Sequence, residues 1–251
     1  MKVPRTTLLA ISIAVVPGTN LQGQSSPPEI TETVFALEDG GEMRYAISVP
    51  ADYQASQDAP RPLVLALHPG GRFPYYGSDF MQSIVEPALR EWDAILVAPD
   101  VPSRSWASAD SERAVLALLD EVISTHTIDQ TRILVTGFSM GGRGTWYFAT
   151  RNPQLFTGAI PMAAARGTDP LEELAGMPVH LIQSPDDKVV PYPPAEEAVE
   201  FLARRGRARL TRLSGVGHYQ MRSYIVPLRT AGEWIRDQWQ TAGAPGSTGA
   251  R

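Results

Sequence analysis

The sequence predicts an α/β domain built on a mostly parallel central sheet with helices on both faces. Two observations carry that prediction. Leu63–Leu67, Ala94–Ala98, Ile133–Thr136, Gly158–Met162 and Val179–Gln183 are short runs, apolar at consecutive positions. Strands covered on both faces have that pattern, because neither side of the pleat meets water. Between the runs lie stretches of helical length and amphipathic spacing near Ser78–Glu91, Asp110–Thr125, Gly141–Thr150 and Pro194–Arg205. Strand–helix alternation forces crossover connections and therefore parallel pairing.

The remaining segments fall into place around this repeat. Thr33–Leu37 and Met43–Val49 flank Asp39-Gly40-Gly41, and turn residues between two β-rich runs signal a hairpin at the sheet edge. Asp52–Pro62 is polar and proline-punctuated, hence a loop. Ala208–Leu213 reads as a last strand and Pro227–Gln240 as a closing amphipathic helix, placing one domain over residues 33–242. Residues 243–251 are low-complexity and read as a disordered tail. At the other end, Lys2 and Arg5 precede the apolar Leu8–Val16, which Pro17 breaks. That is the layout of an export signal over residues 1–23 and is too short to span a bilayer, so a secreted or periplasmic location is expected. Residues 24–32, with Ser-Ser-Pro-Pro, read as a linker.

Composition narrows the chemistry. The 251 residues are 43% hydrophobic and 20% charged, with a formal net charge of −5. This balance argues against nucleic acid and anionic membrane surfaces as partners. The basic run Arg204, Arg205, Arg207 and Arg209 reads as a solvated helix end. With no cysteine, the chain has no disulfide, no thiolate nucleophile and no zinc–cysteine site. The histidines, His68, His126, His180 and His218, share no short metal-ligand spacing, and neither a metal nor an organic cofactor is expected.

Gly137-Phe138-Ser139-Met140-Gly141 supplies a Gly-x-Ser-x-Gly sequence directly after an apolar strand and directly before a helix. A serine on so sharp a turn needs flanking glycines for close backbone approach, and the following helix start turns N–H groups toward developing negative charge. A serine hydroxyl is a weak nucleophile until a base takes its proton and an acid orients the base. Asp187 and then His218 follow in chain order, each in a loop after a predicted strand. Loops at the carboxyl ends of strands are where open α/β sheets assemble their sites. His218 sits in the flexible Gly215-Val-Gly-His-Tyr219 segment, whereas His180 falls in a buried strand and His126 at a helix end. Oxyanion stabilisation is expected from the N–H of Met140, after the nucleophile, and of Gly70 in the loop Leu67–Arg72, since Pro69 has no N–H. His68 then anchors that loop rather than acting as a base. Trp106, Tyr75, Tyr76 and Tyr219 fall in loops on the same side and are candidates for an aromatic, open substrate pocket. Ala163–Met177, between two strands, is too short for a large lid domain.

Leu-Ala-Leu-His-Pro-Gly-Gly, Gly-Phe-Ser-Met-Gly-Gly, Asp187-Lys-Val-Val-Pro191 and Gly217-His218 resemble, in this order, the motifs of the α/β-hydrolases. The closest likeness is to small bacterial esterases of the phospholipase/carboxylesterase, dienelactone-hydrolase and feruloyl or polyhydroxybutyrate-depolymerase types. It covers residues 62–240, with one departure: the usual His-Gly is His68-Pro69 here. The resemblance implies a serine esterase acting through Ser139, His218 and Asp187 on a small-molecule or polymer-linked ester. The Asp-x-x-Val-Pro phase selects Asp187 over the adjacent Asp186, leaving Asp186 as a turn-capping or surface acid. A peptidase or amidase of the same fold is the alternative, and a non-catalytic binding protein the third reading.

Overall fold

The computed structural model describes residues 29–55, 58–71 and 76–243. Eight strands form one sheet in the order β1-β2-β4-β3-β5-β6-β7-β8. They are β1 (Glu29–Ala36), β2 (Glu42–Val49), β3 (Arg61–Leu67), β4 (Ile95–Pro99), β5 (Ile128–Phe138), β6 (Gly158–Met162), β7 (Val179–Gln183) and β8 (Ala208–Arg212). β1 and β2 pair antiparallel as the expected hairpin, and β2 lies antiparallel on β4. Every pairing from β4 through β8 is parallel.

Side-chain alternation along the strands feeds two cores. Leu63, Leu65 and Leu67 of β3 and Ile133 and Val135 of β5 point to one face. There they meet α3 (Ala109–Thr125), α4 (Met140–Arg151) and α5 (Pro193–Ala203) through residues such as Leu118, Trp146 and Leu202. Val64, Ala66 and Leu134 point the other way, onto Phe80, Met81 and Leu89 and onto Leu228, Trp234 and Ile235 of α6 (Ile225–Gly243). Both faces are therefore dry, which is why consecutive residues of these strands are apolar.

Three elements differ from their sequence expectations. β1 begins at Glu29, taking residues 29–32 from the expected linker: its Glu and Thr side chains face solvent on an edge strand while Ile30 is partly covered. β5 begins at Ile128 because Arg61 pairs with Ile128 before a register shift brings Leu63 opposite Ile133. The helix expected over Ser78–Glu91 is instead α1 (Tyr76–Phe80), a π-turn (Met81–Val85), α2 (Glu86–Leu89) and a 3₁₀ turn (Arg90–Trp92). Pro87 explains the break, since it cannot donate to the preceding turn and its ring crowds it. Gly243, expected to open the tail, instead ends α6, and the export signal, linker residues 24–28 and tail residues 244–251 lie outside the described residues. No helix among the described residues is long and apolar enough to cross a membrane. Between β6 and β7 the chain forms only loop and one 3₁₀ turn, Leu171–Leu174.

Candidate active site

β5 delivers Ser139 to the carboxyl edge of the sheet, and α4 starts at the next residue. Ser139 adopts φ 55° and ψ −112°, a conformation that a residue with a Cβ takes only under constraint. The constraint is visible on both sides. The Ser139 N–H donates to Met162 O of β6 at 2.9 Å, and its carbonyl accepts from Arg143 N at 2.8 Å. A Cβ at Gly141 would collide with the carbonyl oxygen of Leu67, and one at Gly137 with that of Gly141. Glycine at these positions thus lets the turn press against β3.

Ser139 Oγ lies 2.8 Å from His218 Nε2, and His218 Nδ1 lies 2.7 Å from Asp187 Oδ2. With Nδ1–H donating to the carboxylate, Nε2 is left to accept from the serine hydroxyl. The Asp187 side chain is fully buried and that of His218 is 6% exposed. The second oxygen of Asp187 accepts from Val189 N at 2.8 Å and Val190 N at 2.9 Å, so the carboxylate cannot swing away from the imidazole. Asp186 points elsewhere: its Oδ2 accepts from Gly215 N at 2.7 Å. The ring of Phe138 lies 5.4 Å from that of His218 and packs edge-on against Tyr224, closing the side of the imidazole away from solvent.

The loop after β3 borders the serine. Met140 fills the space beside the Gly70 α-carbon, 3.4 Å from where a Cβ would stand, so the two expected oxyanion donors are neighbours. The Met140 N–H begins α4 and precedes its first intrahelical bond. His68 is buried and acts as a tie. Its Nδ1–H donates to Pro69 O at 2.7 Å and its Nε2 accepts from Val101 N at 3.0 Å. Burial lowers its pKa; the bond to Pro69 O and the Asp100 charge oppose this without reversing it, and the ring stays neutral.

The aromatic residues expected at the pocket separate. Trp106 is fully buried; its Nε1–H donates to His68 O at 2.9 Å, supporting the β3 loop from beneath. Its size and flat indole suit a core position, and its single polar atom has found a backbone partner. Tyr219 is 88% exposed, with its ring perpendicular to His218 and 5.4 Å away, at the mouth of the site. Tyr75 lies outside the described residues, as do Arg72 and Pro74; Tyr76 opens α1. Among the described residues no three histidine or carboxylate side chains converge as a metal site.

Sequence reasoning missed two further ties. Asp186 holds the His218 loop through Gly215. Arg143, one turn into α4, pairs with Asp169 in the loop after β6, and Arg166 Nη1 donates to Asp169 O at 2.8 Å. Neither pair has a spacing that marks it, since the partners meet only when separate strands line up.

No protein-family model matches the chain. The probable feruloyl esterase C of Aspergillus niger is 28% identical over 219 residues, which cover 80% of this chain and 75% of the fungal protein. A thermostable esterase of known structure superposes with a TM-score of 0.70 at 27% identity, covering 83% of this chain. This chain matches 62% of that protein's length, less than two thirds. The fluorophosphonate-binding serine hydrolase F of Staphylococcus aureus superposes with a TM-score of 0.69 over 84% of this chain and 99% of its own. At 16% identity that likeness is one of fold. Sheet order, strand–serine–helix connection and the two esterase relatives agree: the chain has the α/β-hydrolase fold and is similar to esterases.

Proposed function

We propose that this esterase cleaves carboxylic esters in two acyl-transfer steps with Ser139 as nucleophile. The observation that carries the reading is the continuous relay of 2.8 and 2.7 Å from Ser139 through His218 to Asp187, set on a strained turn. His218 Nε2 takes the hydroxyl proton as Oγ attacks the ester carbonyl, forming the tetrahedral oxyanion. The N–H groups of Met140 and Gly70 are the donors for that charge. Collapse breaks the bond to the alcohol oxygen, which receives the proton from His218, and leaves an acyl–Ser139 ester. Water then loses a proton to His218, attacks the acyl carbon, and releases the carboxylic acid with the proton returned to Ser139. Asp187 holds the ring and balances the transient imidazolium.

The substrate we propose is a short or aromatic acyl ester, free or carried on a polymer. The site opens beside exposed Tyr219, no lid element stands between β6 and β7, and the fungal relative is named a feruloyl esterase. Residues 1–23 read as an export signal, and a location outside the cytoplasm is part of this reading. The test pairs covalent labelling by a fluorophosphonate with turnover of methyl ferulate, p-nitrophenyl acetate and the matching anilide. Labelling at Ser139 with ester turnover far above anilide turnover supports the reading; an unlabelled, fully folded protein overturns it.

A further inference from the structure

The sheet has a second functional edge. A cavity of about 780 Å³ opens at the amino ends of the strands, opposite Ser139. Pro62 of β3, Arg132 of β5 and the residues just before β6, β7 and β8, namely Thr157, Pro178 and Arg207, all border it. Ser139, Asp187 and His218 follow the carboxyl ends of β5, β7 and β8. β6 spans five residues, so at about 3.3 Å per residue the two edges stand about 15 Å apart. The cavity is therefore no extension of the active site.

Its walls combine aromatic rings with unspent polar groups. Trp92 and Phe156 are buried, while Trp239 at the end of α6 is half-buried and is the ring a ligand can reach. The Trp239 indole is fixed by donation to Thr157 O at 2.8 Å and by edge-on contact with Trp92. Trp92 Nε1 is buried without a hydrogen-bond partner. Of the bordering arginines, Arg207 donates to Gln238 O and Gly176 O, and Arg132 is paired with Asp129. Arg236 has no carboxylate partner among the described residues and lies against the Trp92 ring, 5.8 Å from its centroid. On the facing 3₁₀ turn, Glu172 and Glu173 are exposed and their carboxylates are likewise unpaired among the described residues.

We propose that this cavity binds a neutral carbohydrate chain, holding the enzyme to a polysaccharide surface at a site separate from Ser139. Sugar rings present C–H faces that stack on an indole and hydroxyl pairs that both accept from a guanidinium and donate to a carboxylate. A wall with free donors on Arg236 and free acceptors on Glu172 and Glu173 satisfies both needs. An anionic ligand meets the two glutamates, and an acyl chain meets charge on both sides. A peptide adding by backbone pairing needs an open strand edge, whereas the cavity lies at strand ends. The volume lies within the range of small-ligand sites and suits two or three sugar units.

The inference is independent of the proposed catalysis, because its test reads binding rather than turnover. The full chain carrying Ser139→Ala is titrated calorimetrically with cellohexaose, xylohexaose and mannohexaose. At least one hexaose is expected to bind with a dissociation constant below about 1 mM. Arg236→Ala is expected to weaken it about fivefold or more, and Trp239→Ala more strongly. Glu173 is exposed and Arg236 is only half-buried with no ion pair among the described residues, so Glu173→Gln and Arg236→Ala keep the fold even if Trp239→Ala does not. The proposal is overturned if no hexaose binds at about 5 mM, or if binding is unchanged in both Arg236→Ala and Glu173→Gln. Self-association that Arg236→Glu abolishes would also overturn it, by giving the cavity a protein occupant.

Discussion

Asp186 and Gly215 are joined by a 2.7 Å hydrogen bond from the glycine N–H to Oδ2, three residues before His218. The next residue, Asp187, reaches the imidazole itself. Two adjacent acids thus divide the work, one holding the backbone of the loop and the other the ring it carries. In the proposed mechanism Asp187→Asn favours the wrong imidazole tautomer and lowers kcat by about 10⁴. Asp186→Asn keeps an acceptor for Gly215 and costs less than about tenfold. Steady-state kcat for both variants on p-nitrophenyl acetate decides; the reverse ranking would move the orienting role to Asp186.

Ser139 stores strain at φ 55°, ψ −112°. Ser139→Ala removes the hydroxyl and keeps the strain, whereas Ser139→Gly removes both. Each should lower kcat by more than about 10³. The glycine variant should unfold a few degrees higher than the alanine one, since about 1–3 kcal/mol of strain outweighs the roughly 0.5–1 kcal/mol entropic cost of glycine. A glycine variant that melts below the alanine one would mean that the turn is unstrained, since only the entropic cost of glycine would remain.

Trp106 supports the loop that carries Gly70 by donating to His68 O. Trp106→Phe leaves that buried carbonyl without its partner, at a cost of about 1–3 kcal/mol. In the proposed mechanism Gly70 is an oxyanion donor and its loosening acts on the transition state, so kcat should fall several-fold with KM nearly constant. A rise in KM at unchanged kcat would assign Trp106 to substrate binding instead.

His180 on β7 donates to or accepts from Thr211 at 2.8 Å and is buried beside Trp234. Burial, and next the Arg209 charge, push its pKa down to about 4 from 6.5. The folded state therefore binds this proton less readily than the unfolded chain, whose value stays near about 6.5. Its stabilising effect is complete above about pH 6.5 and is lost as pH falls toward about 4, amounting to up to about 3 kcal/mol. His68 shifts in the same direction, so His180→Leu should flatten only part of the acid limb of melting temperature against pH. An unchanged slope between about pH 7 and 4.5 would place the acid sensitivity elsewhere.

Much of the fold was legible because it rests on local pattern. Apolar runs such as Ile133–Thr136, short and alternating with helical stretches, read as strands dry on both faces, and Gly137-Phe-Ser-Met-Gly141 carries its turn in its own glycines. Pro87 was equally visible, yet its effect on the 78–91 helix was not anticipated, since a proline that breaks one helix can open another. Trp106 was misplaced for a different reason. A loop tryptophan reads the same in sequence whether it lines a pocket or supports one, and its burial depends on where His68 O arrives from a strand 38 residues earlier.

The sequence by itself determined the α/β order, the elbow at Ser139 and the later histidine, because propensity, periodicity and turn chemistry act between near neighbours. Only the tertiary structure decided which acid meets His218, that Asp186 ties Gly215, that Trp106 is core, and that a cavity opens at the far edge of the sheet. Each of these is a contact between residues distant in the chain. Strand order and register set such contacts, and the free energy of closing a long loop depends only weakly on its length, so spacing alone leaves no mark of them.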